Sequence, residues 1–234
     1  MITAAIMQPT YLPWIGYFGL MDRVDKFVFL DSVQFAKRSW QQRNQIKTLT
    51  GASWLTVPVH TKGVREQSIC DVKIVHDGAF PAKHIRSIET AYGKTPYFDR
   101  YADSLFSIFN QDTSSLAELS IGITMWIRNE LGITTDIQRS SEMNVSSTKA
   151  DLLANICAYI RAEHYVSPPG SKEYMDVSDA FTAAGIGVSY FDFEHPVYSQ
   201  VNGDFLPYMS VLDLMFNVGP ESLTLIRKSY RPHP

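Results

Sequence analysis

Polar side chains that could bind or activate a ligand are concentrated between residues 8 and 47. Gln8 follows a short apolar run, and its amide can both donate and accept hydrogen bonds. Asp31 follows a second apolar run, where a carboxylate could orient a polar group, hold a metal ion or act as a general base. An ordinary turn cap is the structural alternative for Asp31. The pattern predicts a ligand site built from this stretch.

Aromatic and cationic residues accompany these polar groups. Tyr11 and Trp14 offer flat apolar faces with polar tips, and two prolines stiffen the loop that carries them. Between residues 37 and 47, four cations are interleaved with Trp40 and several amides. Arginine binds phosphate and carboxylate bidentately, which indicates a small anionic ligand, although a solvated basic surface is the alternative. The residues predicted to bind it here are Gln8, Tyr11, Trp14, Arg38, Arg43, Asn44 and Lys47.

Three further features could take part in chemistry. Ser147 and Lys149 open a hydroxyl-rich helix, whose N-terminus would suit a phosphate as well as serve as an ordinary N-cap. His84, on a helix, and His195, just beyond a strand, could each act as a general acid or base, or simply pack in the protein. The predicted catalytic residues are Asp31, His84 and His195. No two histidines have metal-ligand spacing, so no metal site is expected, and the cofactor is left unknown, with ATP open.

A βαβ unit is predicted to position the N-terminal residues. Residues 2–7 form an apolar run typical of a buried strand, apolar residues recur at helical spacing from Trp14 to about Arg23, and residues 26–30 form a second strand. Strands joined in this way are parallel, so Gln8 and Asp31 should lie at one carboxyl edge of a sheet, where such sheets bind ligands.

The remaining pattern predicts an α/β fold with a mainly parallel sheet. Residues 54–59 and 69–75 are expected to be antiparallel strands around a turn at Gly63. Three consecutive helices are expected at 80–92, 97–109 and 115–131, the last ended by Gly132. Other predicted helices span 147–162, 177–184, 209–216 and 221–229, and other strands 135–138, 164–166 and 187–191. We expect one domain, 1–234, with a helical insertion or subdomain at 80–132.

Composition limits the class of protein. With 45% apolar and 19% charged residues, the chain is globular rather than disordered. A net charge of −3 gives no strong field toward DNA or anionic membranes. No run approaches the roughly 18 apolar residues of a membrane span. We therefore expect a cytoplasmic protein without DNA binding or membrane insertion, while the oligomeric state is left open.

Several segments together resemble the WbqC-like family, and the resemblance covers nearly the whole chain. The N-terminal block is the most specific. The matching segments are Gln8-Pro-Thr-Tyr-Leu-Pro-Trp-Ile-Gly-Tyr-Phe, Asp31-Ser-Val-Gln-Phe, Arg43-Asn-Gln-Ile-Lys, Trp54-Leu-Thr-Val-Pro, Tyr92-Gly-Lys-Thr-Pro-Tyr-Phe, His195-Pro-Val-Tyr-Ser-Gln and Ser210-Val-Leu-Asp-Leu-Met-Phe-Asn-Val-Gly.

This resemblance implies a role in bacterial surface-polysaccharide or O-antigen biosynthesis, because members are associated with such gene clusters. Some members are described as glycine (aminoacyl) transferases acting on amino sugars, which implies amide formation on a nucleotide-linked amino sugar. Arg38, Arg43 and Lys47 would then bind diphosphate or carboxylate. Tyr11 or Trp14 would stack on a base or sugar, while Asp31 or His195 would deprotonate the amine.

The first βα loop and Ser146-Ser-Thr-Lys also resemble the nucleotidyltransferase superfamily, which includes pantothenate synthetases. That similarity implies an alternative, an ATP-dependent ligase or nucleotidyltransferase that forms an amide. Neither histidine of that superfamily's first motif is present, because Trp14 and Tyr17 stand in this region, so the similarity bears on the fold alone. A non-catalytic binding protein of glycan assembly is a third hypothesis.

Overall fold

The computed structural model describes residues 1–64, 66–76, 78–168 and 179–230. In chain order its strands are β1 (Thr3–Met7), β2 (Lys26–Phe29), β3 (Arg43–Thr48), β4 (Gly51–Thr56), β5 (Asp136–Arg139), β6 (His164–Ser167) and β7 (Gly187–Tyr190). The helices are α1 (Ile15–Asp22), α2 (Ala82–Tyr92), α3 (Phe98–Phe109), α4 (Leu116–Leu131), α5 (Lys149–Tyr159), α6 (Ala180–Ala183), α7 (Val211–Val218) and α8 (Ser222–Lys228). Short 3-10 turns occupy Ile69–Asp71, Ser140–Glu142 and Gly219–Glu221.

A parallel sheet with the order β5-β2-β1-β6-β7 confirms the predicted α/β class and the initial βαβ unit. The central strand β1 is apolar on both faces because helices cover the sheet on both sides. Ala5 packs in the larger core cluster, with α1 to α4 and α7. Ala4 and Ile6 point to the opposite face, where α5 and α6 complete the second cluster.

The pairing predicted between residues 54–59 and 69–75 is wrong in its main part. Strand β4 pairs antiparallel with β3, the segment interpreted from its sequence as a basic stretch, while Ile69–Asp71 is a 3-10 turn. Gly51, at a φ of 108°, allows the tight turn between β3 and β4. Pro58 cannot donate to a longer ladder, so the two predicted partners meet only through a bridge at Val59 and Ile74.

The helices largely follow the predicted periodicity. Helices α2, α3 and α4 confirm the three consecutive helices, and Gly132 ends α4 in the left-handed region with a φ of 77°. Helix α5 ends at Tyr159, earlier than expected. Helix α6 falls within predicted helix 177–184, whose first two residues lie outside the described ranges. The single domain over 1–234 and the insertion at 80–132 stay predictions.

Candidate functional site

The order of the strands indicates where a ligand would bind. From β1, strands β2 and β5 lie on one side of the sheet, and β6 and β7 lie on the other. The direction in which successive strands are added to the sheet therefore reverses once. Parallel sheets bind ligands at the point of such a reversal, outside the carboxyl ends of the strands that meet there. Because Met7 ends β1 and pairs with Phe29 of β2, Gln8 and Asp31 both follow strands that end at this edge.

A cavity of about 320 Å³ lies beside the end of β1. This volume lies at the lower end of the range typical of small-molecule sites. Most of its wall is aromatic, with a threonine hydroxyl and one asparagine amide as polar groups. The lining residues are Met7, Thr10, Trp14, Tyr17, Trp40, Asn44 and Tyr208.

Three distant segments are joined by backbone hydrogen bonds to form this cavity. The N–H of Tyr11 donates to the carbonyl of Trp40, and the N–H of Val211 donates to the carbonyl of Pro13, each at 2.9 Å. Asn44 is buried, and its Nδ2 donates to the carbonyl of Leu12 at 2.7 Å. That bond holds Leu12 at a left-handed φ of 48°, which a free loop would rarely adopt. The cavity wall is therefore largely fixed before any ligand binds.

The indole of Trp14 lies against the first turn of α1 because residue 16 is glycine. An ideal Cβ on Gly16 would stand 2.2 Å from Cη2 of Trp14. The indole packs edge-on against Phe193, with 5.3 Å between ring centroids, and lies 5.9 Å from the ring of Tyr208. Gly16 therefore sets the position of one aromatic wall.

Polar groups next to the cavity, including Gln8, which is not among its lining residues, already form hydrogen bonds within the protein. The Nε2 of Gln41 donates to Oε1 of the exposed Gln8 at 2.8 Å, and the hydroxyl of Tyr17 donates to the carbonyl of Gln8 at 3.2 Å. Burial raises the pKa of Tyr17 well above its usual value, so this phenol stays a donor. The Oγ1 of Thr10 is buried and has no hydrogen-bond partner among the described residues.

With this geometry established, the comparisons with known proteins identify the family. The model of the WbqC-like protein family matches residues 8–225. The chain belongs to the WbqC-like family. It is also 38% identical to the uncharacterized protein Rv1507c of Mycobacterium tuberculosis (strain ATCC 25618 / H37Rv) over 226 residues, which are 95% of this chain and 96% of that protein. No solved structure matches the chain.

Asp31, in the second segment that suggested the WbqC-like family, is fully buried and saturated with hydrogen bonds. Its Oδ2 accepts from Nε of Arg139 at 2.9 Å and from Oγ of Ser141 at 2.8 Å. Its Oδ1 accepts from Oγ of Ser140 at 3.2 Å and from the N–H of Ser141 at 2.9 Å. Arg139 also pairs with Glu118. Asp31 thus ties the segment after β2 to the end of β5, and these bonds leave its carboxylate oxygens little capacity to accept a further hydrogen bond from a substrate.

His84 and Tyr11 form a buried pair inside the protein. The hydroxyl of Tyr11 lies 2.7 Å from Nδ1 of His84, and both residues are buried. Burial lowers the pKa of His84 to about 4, against a smaller opposing effect of its hydrogen bond to the backbone of Thr56. The imidazole is therefore neutral at pH 7. Burial also raises the pKa of Tyr11 well above its usual value.

His195 lies closer to the cavity, but both of its ring nitrogens are engaged. Nδ1 is 2.9 Å from the carbonyl of Pro196, and Nε2 accepts the N–H of Tyr208 at 3.1 Å. This arrangement corresponds to the neutral tautomer with its proton on Nδ1. Burial lowers the pKa of His195, which favours the same neutral form. In this state the ring links residues 195 and 208, and so supports the Tyr208 wall.

The predicted cations occupy three different environments. Arg38 is exposed, with a left-handed φ of 58°. The guanidinium of Arg43 lies 4.3 Å from the ring centroid of Trp54. Lys47 is buried, and its Nζ donates to the carbonyl of Gly203 at 3.2 Å and to that of Asp204 at 2.6 Å. Lys47 thus anchors the loop that contains Gly203 and Asp204, whereas Arg38 and Arg43 are not buried and remain accessible to a ligand.

Ser147 and Lys149 lie at the start of α5 and are exposed, and the cavity lining does not include them. Thr148 occupies the N-cap of α5 without a side-chain hydrogen bond. Across the described ranges, no three His, Cys, Asp or Glu side chains are grouped as metal ligands would be. Within the same ranges, no helix combines the length and the apolar character that a membrane span requires.

Sequence reasoning did not assign several residues of the cavity wall. Trp40 stood out only as an aromatic residue within the cationic stretch, and Tyr17 only within the first helix. Met7 and Thr10 lie within two residues of the predicted Gln8, and this proximity in the sequence is the signal that connects them with the site. Tyr208 comes from the far end of the chain, and no local pattern connects it with residue 14.

Proposed function

We propose that this protein binds a nucleotide-linked amino sugar at the aromatic cavity and transfers an acyl or aminoacyl group, such as glycyl, to the sugar amine. The observation that carries the proposal is the aromatic cavity at the reversal of the sheet, in a member of the WbqC-like family. The amine would attack the acyl carbonyl, a C–N bond would form, the bond to the leaving group would break, and the amine would lose a proton. The product would belong to surface-polysaccharide or O-antigen biosynthesis, in the cytoplasm.

The order of the sheet supports a nucleotide as part of the ligand. Two strands succeed each other on one side of β1 and two on the other, an arrangement shared with five successive strands of the dinucleotide-binding fold. The charge of the neighbouring segment agrees with this assignment. Between Asp31 and Glu66 the sequence contains six Lys or Arg residues and no Asp or Glu. A ligand that carries phosphate would meet a consistently positive segment.

Among the predicted catalytic residues, we assign the proton-accepting role to His195. Its Nε2 bonds to the backbone of Tyr208, which lines the cavity, and its lowered pKa keeps it in the form that accepts protons. It would act as a base once that bond is exchanged for one to the substrate amine. Asp31 and His84 take structural roles in this proposal, because their acceptor atoms are already used inside the protein.

An assay by mass spectrometry tests the transfer. The protein is incubated with nucleotide-linked amino sugars and activated glycyl or other acyl donors, and the mass of the sugar is followed. We expect an amide product, lost with Trp40→Ala and retained with Tyr159→Ala, which removes an exposed aromatic residue on α5. Absence of product from every pair, with folded protein, would contradict the proposal.

A non-catalytic binding protein is the second candidate, and it is favoured by the occupied acceptor atoms of Asp31, His84 and His195. It predicts tight ligand binding without turnover.

An ATP-dependent ligase is distinguished from both by pyrophosphate release in the presence of ATP, the acid and the amine.

A further inference from the structure

Exposed aromatic side chains are concentrated at the candidate site. Among the large apolar residues that the described ranges leave exposed, four are aromatic. Trp40 and Tyr208 line the cavity, Trp54 lies next to Trp40, and only Tyr159 is elsewhere. The Trp40 and Trp54 side chains are 51% and 43% exposed, although large aromatic surface is costly to leave in water. The concentration indicates a surface that a ligand covers.

The two tryptophans and one arginine form a contiguous group that we call the aromatic rim: Trp40, Trp54 and Arg43. The rings of Trp40 and Trp54 have centroids 5.2 Å apart and planes inclined at 38°. The Arg43 guanidinium lies over the ring of Trp54. Strand pairing fixes this contact, because Trp54 stands opposite Gln45 and therefore diagonal to Arg43 across the β3–β4 hairpin.

The guanidinium of Arg43 has donors left for a ligand. It contacts the face of Trp54, and no hydrogen bond or salt bridge within the described part of the chain uses its N–H groups. A guanidinium held over an indole is well suited to bind phosphate, since the contact with the ring restricts its position before the ligand arrives. Arg38 brings an exposed cation to the same segment, and its backbone N–H donates to Oε1 of Gln42 at 3.0 Å.

From these observations we propose that the aromatic rim is the nucleotide subsite of the ligand. A nucleobase stacks on the exposed indoles, the diphosphate bonds to Arg43, and the linked sugar enters the cavity past Trp40. This assignment rests on the proposed function, because it divides the nucleotide-linked sugar between rim and cavity. Trp40 belongs to both the rim and the cavity wall, so a ligand crosses from one to the other without leaving the aromatic surface.

Calorimetric titration with uridine, guanosine, cytidine, adenosine and thymidine diphosphates, and with inorganic diphosphate, tests the rim directly. We expect at least one nucleoside diphosphate to bind more tightly than inorganic diphosphate. One stacked base contributes enough free energy for about a tenfold change in affinity. Trp54→Ala should therefore raise the Kd of that nucleoside diphosphate about tenfold, and Arg43→Ala should raise the same Kd by a similar factor. Tyr159→Ala is the matched control, and it should leave the Kd unchanged. Circular dichroism of each variant establishes that it is folded.

Three results would overturn the subsite. The first is that inorganic diphosphate binds as tightly as every nucleoside diphosphate. The second is a Kd that neither Trp54→Ala nor Arg43→Ala changes. The third is that a short single-stranded RNA binds more tightly than any nucleoside diphosphate. The transfer assay separates this inference from the proposed function. Amide product with a Kd insensitive to both variants overturns the rim alone. Rim-dependent binding without product for any amino sugar overturns the transfer and leaves the rim in place.

Discussion

Replacing Gly16 with alanine should disturb the wall of the cavity, because the indole of Trp14 occupies the space that a Cβ would need. The added atom would stand 2.2, 2.5 and 2.6 Å from three carbons of the indole. Contacts below 3.0 Å are essentially absent from real structures, so one of the two groups must move. The indole is rigid and is packed against Phe193 and Tyr208, so it can move only by disturbing these contacts or by entering the cavity that it lines.

The magnitude follows from two opposing effects. Forcing an extra methyl group into a packed region costs about 1–3 kcal/mol. Alanine is a better helix former than glycine by up to about 1 kcal/mol, which offsets part of that cost. A matched control separates the two, since Gly122 lies in α4 and its Cβ would meet only Cγ2 of Ile108, at 4.0 Å. Gly122→Ala should therefore gain the helix preference without the clash.

Chemical denaturation of both variants measures the difference. We expect Gly16→Ala to have a free energy of unfolding lower than that of Gly122→Ala by about 1–3 kcal/mol. The near-ultraviolet circular dichroism of Gly16→Ala should change as the indole of Trp14 moves, and affinity for a ligand of the cavity should fall. Equal stability of the two variants, with an unchanged aromatic spectrum, would refute the packing that we describe for Trp14.

Three further predictions concern the buried polar residues. His84 has a folded pKa of about 4, below its unfolded value near 6.5, so its contribution to stability is present above pH 6.5 and is lost as the pH falls toward 4. Between pH 7 and pH 5 the free energy of unfolding should fall by about 2 kcal/mol more in the wild type than in His84→Asn, and equal slopes would contradict the buried neutral imidazole. Asp31→Asn should lower the free energy of unfolding by about 3 kcal/mol, because it leaves Arg139 without its buried partner, while ligand affinity of the folded variant persists. A stable Asp31→Asn protein that has lost ligand binding would instead support a direct role for the carboxylate. Lys47→Met should lower the melting temperature without changing ligand affinity, since its ammonium binds the carbonyls of Gly203 and Asp204; a selective loss of affinity would return Lys47 to the ligand site.

Local sequence patterns were sufficient to predict the framework of the site. The apolar run before Gln8, the helical spacing after Trp14 and the second apolar run before Asp31 each extend over a few residues. Hydrophobic periodicity and the geometry of βαβ units likewise depend on residues that are close together in the sequence. The edge at which Gln8 and Asp31 follow their strands could therefore be derived from the order of residues alone.

The partners of those residues could not be derived in the same way. Asp31 bonds to Ser141, 110 residues later in the chain, and no spacing rule connects the two. Tyr11 and Trp40 show the same limit for aromatic residues. The sequence predicts a ligand contact for Tyr11 and none for Trp40, yet Tyr11 is buried beside His84, whereas Trp40 is half exposed at the cavity. Burial depends on how distant segments pack, and a single sequence does not specify this at each position.

A structure of the protein with a bound nucleotide-linked amino sugar tests the central proposal most directly. We predict that the sugar lies in the cavity among Trp14, Trp40 and Tyr208, with its phosphates at Arg43. The opposite side of Tyr208 offers the clearest alternative, a polar groove lined by residues that include Glu194 and Lys228. A ligand bound in that groove, with the aromatic cavity empty, would contradict the proposal.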